Sequence, residues 1–477
     1  MGGYGKRIEL IPSINLKKTN SISDAFKAIN GRFEMVVTVV GEGDKFCGIV
    51  SEGDLRRAIL AGNSLDTPIE KVMNAKPIIL TTEDLENDLK RTRAITQMYK
   101  LYKTGQGLQT TIPVLDKNGR VSGLTVPEML QVADSRLGIQ DTIKSDGPQV
   151  LVVGGAGYIG SILVSILSMK GWRVRVLDNM LYRQTSLDNI KDERISVVRG
   201  DVTNINDVVA AIEGIDAVVY LAEIVGDPAC AYTPERALKT NYLSVANMAH
   251  LCSYLNINRF IYTSSCSVYG GSPNPESSLT ESSELNPVSH YGRMKIMAEQ
   301  AVLSIPYSLF TPTILRLATV FGFSYRPRFD LVVNTFAKNA FFKKYIEVFG
   351  GEQWRPNIHV RDVAMAIIKI LEAPLDKVSR QIFNVGSGQG NHTINELAGM
   401  VAEIFPGVLI RQQGRSKDPR NYKVDFTKIK DILGYKAGIS VREGLKELRE
   451  VFERQEITNP EDPRYSNIEA IKEFINK

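Results

Sequence analysis

Four cysteines (Cys47, Cys230, Cys252 and Cys266) and four histidines are few for 477 residues. The cysteines are scattered, with no C-x-x-C spacing. That excludes a disulfide framework and points to reduced thiols in a cytoplasmic protein. No two histidines stand at ligand spacing, so no metal site is expected. Long apolar runs are missing too. None reaches the roughly 18–20 residues that cross a bilayer, so no membrane is expected as a partner. The opening Met1-Gly2-Gly3-Tyr4-Gly5-Lys6 has no apolar signal core, and Lys6 stands where myristoylation wants Ser or Thr. A basic stripe is absent: 58 Lys and Arg against 53 Asp and Glu leave a net charge of +5. Nucleic acid is therefore not an expected partner. The slight positive excess suits an enzyme whose substrates carry diphosphates.

What is present is ordinary globular material. The hydrophobic share of 43% argues against disorder. The length exceeds one ordinary core and suits two or three domains. Turn residues cluster at Lys144-Ser145-Asp146-Gly147-Pro148, just before the buried-strand run Val150-Leu151-Val152-Val153. Boundaries of 1–145 and 148–477 follow.

The first side uses one short pattern twice. Ser23–Asn30 predicts a helix, Met35–Val40 and Lys45–Val50 predict strands, and Ser51–Ala61 predicts a helix with Leu55, Ile59 and Leu60 on one face. The order recurs more loosely. A helix is expected around Leu89–Tyr102, strands at Ile112–Leu115 and Val121–Leu124 about the turn Lys117-Asn118-Gly119, then another helix. Such a repeat means two similar units that bury a face against each other. The stretch Gly48-Ile49-Val50-Ser51-Glu52-Gly53-Asp54-Leu55, with the connector Ile69-Glu70-Lys71-Val72-Met73, resembles a cystathionine-β-synthase-type (CBS) domain, over about residues 8–140. The resemblance implies a tandem α+β CBS domain in which Ser51 and Asp54 contact the ribose of an adenine or guanine nucleotide. A carboxylate can take both ribose hydroxyls, and a helix N-terminus can face phosphate. In the second unit, Gly123-Leu124-Thr125-Val126-Pro127-Glu128 is a residue short and carries Glu for Asp, so the two units are not both expected to bind ligand. A dimerisation platform without ligand is the alternative.

The second side opens with Val150–Val153, then Gly154-Gly155-Ala156-Gly157-Tyr158-Ile159-Gly160, then Ile162, Leu163, Ile166 and Leu167 at helical spacing. Glycines at 154, 157 and 160 allow a tight turn, close approach of backbone to a pyrophosphate, and close packing of helix on strand. The helix N-terminus adds N–H groups and the positive end of its dipole. The next strand, Arg173–Leu177, ends at Asp178. A carboxylate there binds adenine-ribose hydroxyls and repels a 2′-phosphate, which favours NAD over NADP. Asp201 and Val202 follow a further strand and would flank the adenine. Leu221 and Ala222 end a fourth strand beside the cofactor.

Tyr291 and Lys295, four apart, share one helix face. An ammonium beside a phenol is expected to lower its pKa and make it usable as a base. Upstream, the strand Arg259–Thr263 leads to Ser264-Ser265-Cys266-Ser267-Val268-Tyr269-Gly270. Glycine loop, acid, Ser and Tyr/Lys, in this order, resemble the extended short-chain dehydrogenase/reductases, specifically their NAD-dependent epimerase/dehydratase branch, over about residues 148–455. The resemblance implies a Rossmann-like doubly wound parallel α/β sheet with a small C-terminal substrate lobe after Phe321, partly interwoven with the sheet. It implies Ser265 as catalytic hydroxyl, Tyr291 as base, Lys295 holding the nicotinamide ribose, and Asn241 as a structural asparagine. The segment Leu315–Gly322 resembles the entry to the substrate lobe, with Thr319 where the family often has Asn. Arg355, in Arg355-Pro356-Asn357-Ile358-His359-Val360, matches an arginine that grips the sugar diphosphate. Its fork suits bidentate binding. A homodimer or homotetramer is implied, through helices around Pro234–Leu255 and Tyr291–Leu303.

The shared first step would be hydride transfer from a nucleotide sugar to NAD, giving a keto sugar. The family's 4,6-dehydratases carry Asp-Glu just after the catalytic hydroxyl, whereas Cys266 and Ser267 stand there. An epimerase needs no such acids and leads. A dehydratase, a keto-sugar reductase, and a non-catalytic NAD- or nucleotide-sensing protein are the alternatives. Cys266 reads as a packed, inert thiol, and Thr458–Lys477 as a polar tail with one short helix.

Overall fold

The computed structural model describes residues 10–29, 36–87, 90, 91, 94, 111–125, 148–182, 185–188, 190, 192–271, 277–305, 310–414, 418 and 420–475, the side chains of 52, 53, 56 and 60 excepted. Two compact units result, Met1–Ile143 and Lys144–Lys477.

In the first unit, strand Asn15–Lys17 runs parallel to Val36–Val40, which pairs antiparallel with Phe46–Ser51. In the second half, Leu80–Thr81 runs parallel to Ile112–Leu115, which pairs antiparallel with Val121–Thr125. Order and sense repeat, and so does an irregularity of register, between Val39 and Val40 and between Val114 and Leu115. The repeat read from the sequence is thus also a repeat of hydrogen bonding. Ile22, Ala25 and Ile29 are spaced to put one helix face inward, where they meet Val37, Val39, Val50, Leu55 and Ala58. The helices expected at Leu89–Tyr102 and beyond Leu124, with Val126, Pro127 and Glu128, fall almost wholly outside the described residues.

The second unit is built on seven strands: β1 (Gln149–Val153), β2 (Arg173–Asp178), β3 (Ile195–Arg199), β4 (Ala217–Tyr220), β5 (Arg259–Ser265), β6 (Thr313–Leu317) and β7 (Ile382–Val385). Their order is β3-β2-β1-β4-β5-β6-β7, and every pairing is parallel. Parallel strands need crossovers that cover both faces, so central strands are apolar without alternation. Val150, Leu151, Val152 and Val153 are all fully buried. One face packs on α1 (Tyr158–Met169) and on helix Val360–Glu372. The other packs on helices that include Ser244–Tyr254 and α2 (His290–Ser304). The sheet is doubly wound, as expected. Strand order reverses between β1 and β4, which opens a crevice at their carboxyl ends where such sheets bind ligands.

After Phe321 the chain builds a lobe with its own core, from helices Val332–Phe342, Ile394–Ile404 and Val441–Glu453. It is interwoven with the sheet, because β7 returns from the lobe to pair with β6. The C-terminal helix Asn467–Ile475 seats Ile471 in one buried cluster with Leu181, Cys230, Tyr291 and Met294. The tail therefore shares a buried cluster with the predicted base. Among the described residues, no helix is long and apolar enough to cross a membrane.

Candidate active site

The glycine loop lies where β1 turns into α1. Gly154 has φ +81°, and a Cβ on it would come within 2.7 Å of the Ala222 nitrogen at the end of β4. A Cβ on Gly160 would come within 2.3 Å of the Gly154 carbonyl oxygen. Backbone packing against backbone therefore requires both glycines, and β4 delivers Leu221 and Ala222 directly beside the loop. Gly157 precedes α1 and makes no side-chain cap, so the helix's first N–H groups keep their capacity for an anion. Ile159 is half-buried in that first turn. The loop thus fits the diphosphate of NAD. Asp178 ends β2, buried, and accepts from the N–H groups of Ala156 (3.0 Å) and Met180 (2.9 Å). Burial raises its pKa, against those hydrogen bonds. It therefore holds the glycine loop in shape. Asp201 accepts from Asn179 Nδ2 (2.9 Å) and from the Thr203 N–H (2.9 Å), while Val202 packs partly on the core.

Tyr291 and Lys295 lie on α2, both buried. A third group that the sequence did not flag joins them. Glu223, two residues beyond Leu221, accepts from Lys295 Nζ, from Tyr262 Oη at 3.1 Å and from Tyr291 Oη at 3.4 Å. Lys295 Nζ also donates to the Thr263 carbonyl at 2.5 Å. This corrects the expected electrostatics. Burial, then the Glu223 carboxylate, push the Tyr291 phenol well above its ordinary value. The ammonium meant to lower it is neutralised by Glu223. Burial likewise raises Glu223 and lowers Lys295, and each partner opposes that shift in the other.

Ser265 closes β5, and its hydroxyl accepts from the Ser267 N–H at 3.1 Å. It is half-buried, on the strand next to β4, and so near the crevice. Ser264 is turned the other way and donates to Glu299 at 2.5 Å. Cys266 is buried, its thiol pushed up by burial and directed at the Arg316 carbonyl (3.4 Å), a packed group as expected. Asn241 has the structural role expected of it: its side chain pairs with both the N–H (2.9 Å) and the C=O (2.8 Å) of Ile224.

Arg355 is buried, but it is not alone. Its Nη2 lies 2.9 Å from Asp418, and the same carboxylate binds Arg420 in a fork at 2.8 and 2.6 Å. Arg355 also donates to the Arg420 carbonyl, and Arg420 reaches Asp227 at 3.5 Å. Two guanidinium groups thus share the Asp418 carboxylate, and Asp227 lies near the second of them. Thr319, half-buried, lies on a short strand paired with Asn357. Burial pushes the Asp418 carboxyl up, but the hydrogen bonds and charge of Arg420 and the charge of Arg355 outweigh it and leave the group at about 2. A carboxyl depressed below its unfolded value of about 3.9 stabilises the fold fully above that pH and ceases to as pH falls toward 2. The denaturation midpoints of wild type and Asp418→Asn should therefore differ at pH 5 and converge between about pH 4 and 2.

In the first unit, Ser51 and Asp54 do meet, at the start of helix Glu52–Leu60. They form a capping box: the Ser51 N–H donates to Asp54 at 2.8 Å, and the Asp54 N–H to Ser51 Oγ at 3.2 Å. Arg57 holds the other Asp54 oxygen at 2.6 Å. A ribose at this site would share the Asp54 carboxylate with Ser51 and Arg57.

With this geometry in place, comparison with known proteins is informative. The profile of the "NAD dependent epimerase/dehydratase family" matches residues 150–386, and that of the "CBS domain" matches 11–61. UDP-glucuronic acid decarboxylase 5 of Arabidopsis thaliana is 30% identical over 319 residues, spanning 64% of this chain and 89% of that protein. The chain belongs to the NAD-dependent epimerase/dehydratase family. Among solved structures, MoeE5 in complex with UDP-glucuronic acid and NAD is 28% identical, with a TM-score of 0.57, covering 64% of this chain and 99% of its own. UDP-glucose 4-epimerase of Thermotoga maritima, with UDP-glucose, is 26% identical at the same TM-score, with coverage of 64% and 99%. The protein is thus an NAD-dependent, sugar-nucleotide-modifying member of the family with a CBS domain ahead of it.

Sequence reasoning missed Glu223, Asp227, Asp418, Arg420 and the tail's Asn467. One signal was available. An acid directly after the apolar run Ala217–Ala222 is unusual where a parallel strand ends in a cofactor crevice. The others depend on contacts between distant segments. Asn467 donates to the Val225 carbonyl at 3.0 Å, and among the described residues its buried Oδ1 has no partner, nor has Oδ1 of Asp227.

Proposed function

We propose that the protein is an NAD-dependent nucleotide-sugar epimerase that works through a transient keto sugar. The observation that supports this is the surroundings of Ser265: the next residue, Cys266, is a thiol buried against a carbonyl, and Ser267, whose N–H donates to Ser265, brings only a hydroxyl, so no acid pair follows. NAD, when bound, accepts a hydride from the sugar carbon and returns it. Ser265 would hold the reacting sugar oxygen while Tyr291 takes its proton. Lys295 would orient the nicotinamide ribose, and Asp178 the adenine ribose, with Asp201, Val202, Leu221 and Ala222 around the cofactor. Arg355, with Arg420, would hold the sugar diphosphate, and Thr319 would border the sugar. Return of the hydride to the other face of a rotated keto sugar completes epimerisation. It requires no further acid or base.

A second reading is favoured by the curated relatives named UDP-glucuronic acid decarboxylases. Oxidation at C4 of a hexuronic acid places a ketone β to the carboxylate. Carbon dioxide then leaves as the C5–C6 bond breaks, its electrons forming an enolate that is protonated before the hydride returns. The test is incubation of the protein and NAD with UDP-, GDP-, CDP- and dTDP-sugars, uronic acids included, in heavy water. An unchanged mass with a new retention time supports the epimerase. Loss of carbon dioxide from a uronic acid supports the decarboxylase, and loss of water a dehydratase. Adenine and guanine nucleotides added to the same assay test whether Ser51 and Asp54 serve a regulatory site. Unchanged rate and melting temperature would refute that role.

A further inference from the structure

The loop after strand Thr319–Phe321 is bolted to the first turn of α1. Tyr158 Oη donates to the Gly322 carbonyl at 2.7 Å, Ser324 Oγ donates to the Tyr158 carbonyl at 2.6 Å, and the Ser324 and Ser161 hydroxyls are 3.0 Å apart. Two arginines leave this loop with different fates. Arg328 is satisfied: its fork binds Asp330 at 2.9 and 3.1 Å. Arg326 is not. It is 5% exposed, and its buried Nε and Nη2 have no hydrogen-bond partner among the described residues. Its guanidinium lies over the Tyr182 ring, 4.1 Å from the centroid. Burial lowers its pKa to about 10, so it stays charged at neutral pH.

A buried guanidinium with two idle nitrogens destabilises the fold unless an anion meets it. The acids nearest in charge are already engaged, Asp178 by two backbone N–H groups and Asp330 by Arg328. The loop anchors fix Arg326 beside the α1 N-terminus, which is uncapped by any side chain. A face-on tyrosine and an immobilised backbone hold the fork in place before any ligand arrives. We propose that Arg326 is a side-chain ligand for the diphosphate of the bound dinucleotide, acting together with the N–H groups of the glycine loop. The sugar nucleotide's own diphosphate has a different cationic pair, Arg355 and Arg420.

The inference rests on the reading that the glycine loop holds NAD, and the experiment separates the two. Binding of NAD, ADP and UDP to wild type, Arg326→Met and Arg326→Lys is measured by titration calorimetry, adenosine by saturation-transfer NMR, and melting temperature without ligand throughout. In Arg326→Met, NAD and ADP should weaken roughly 10- to 100-fold, as for loss of charge-assisted hydrogen bonds. Adenosine and UDP should bind as before, and Arg326→Lys should recover part of the loss. The melting temperature should hold or rise, since an unpaired buried charge is gone. Unchanged NAD affinity in Arg326→Met overturns the proposal. So does an equal loss for adenosine, which would make Arg326 a prop for the adenosine pocket, or a loss confined to UDP. Wild type that binds neither NAD nor ADP refutes the reading of the glycine loop itself, and the proposal with it.

Discussion

Tyr291→Phe should lower turnover on the substrate identified by the sugar-nucleotide panel by roughly 10²- to 10⁴-fold, the usual contribution of a positioned acid or base. NAD should bind as tightly as before. The substitution removes one oxygen and keeps the ring that packs with Leu181, Met294 and Ile471. The only hydrogen bond lost among those described is the 3.4 Å contact to Glu223, so the fold should tolerate it. Stopped assays for turnover and calorimetry for NAD make the comparison. Full activity in Tyr291→Phe would remove the tyrosine from the mechanism, and a response to NAD or nucleotide without any turnover in wild type would favour a sensor.

Breaking the Glu223–Lys295 pair should destabilise the catalytic unit by about 3–5 kcal/mol for either single variant, Glu223→Gln or Lys295→Met, because each leaves a charge buried without its partner. Both groups are almost wholly inaccessible, with side-chain exposures of 3% and 2%. The double variant should lose clearly less than the sum of the singles, since no unpaired charge remains. Both tryptophans, Trp172 and Trp354, lie in this unit, so their fluorescence during urea unfolding reports it specifically. Additive losses would mean that the pair is not coupled. Glu223→Gln carries a second signature. The carboxylate raises the Tyr291 phenol. Its removal lowers that pKa and frees Lys295 to favour the phenolate. Wherever activity requires ionised Tyr291, the rise of kcat with pH should therefore shift to lower pH in Glu223→Gln. A shift to higher pH, or none, would contradict the geometry.

Much of the site was legible in the sequence because its signals are local. Gly154, Gly157 and Gly160 belong to one turn, and backbone sterics at that turn dictate the residue type. Asp178 falls at the end of the adjacent strand, and Tyr291 and Lys295 share a helix face by periodicity alone. Asn241 was legible only through family resemblance, whereas the inert Cys266 was legible from its setting. A polar group or thiol in an apolar helix or strand must be satisfied where it stands.

While the doubly wound order was only implied by family resemblance, the sequence by itself determined the strands, the glycine turn and the residue types that suit NAD. Each follows from hydrophobic periodicity and steric rules that act over a few residues. Only the tertiary structure decided how those residues are charged and what they touch. Glu223 meets Lys295 across 72 positions of sequence, and Arg355 meets Arg420 across 65. The tail's Ile471 joins the buried cluster of Tyr291 from the far end of the chain. The Tyr291 phenol is the clearest case: its spacing to Lys295 predicts a lowered pKa, and burial with Glu223 reverses the sign. Spacing along a helix sets which side chains are neighbours. The dielectric around them, and the third charge among them, come from segments that periodicity does not connect.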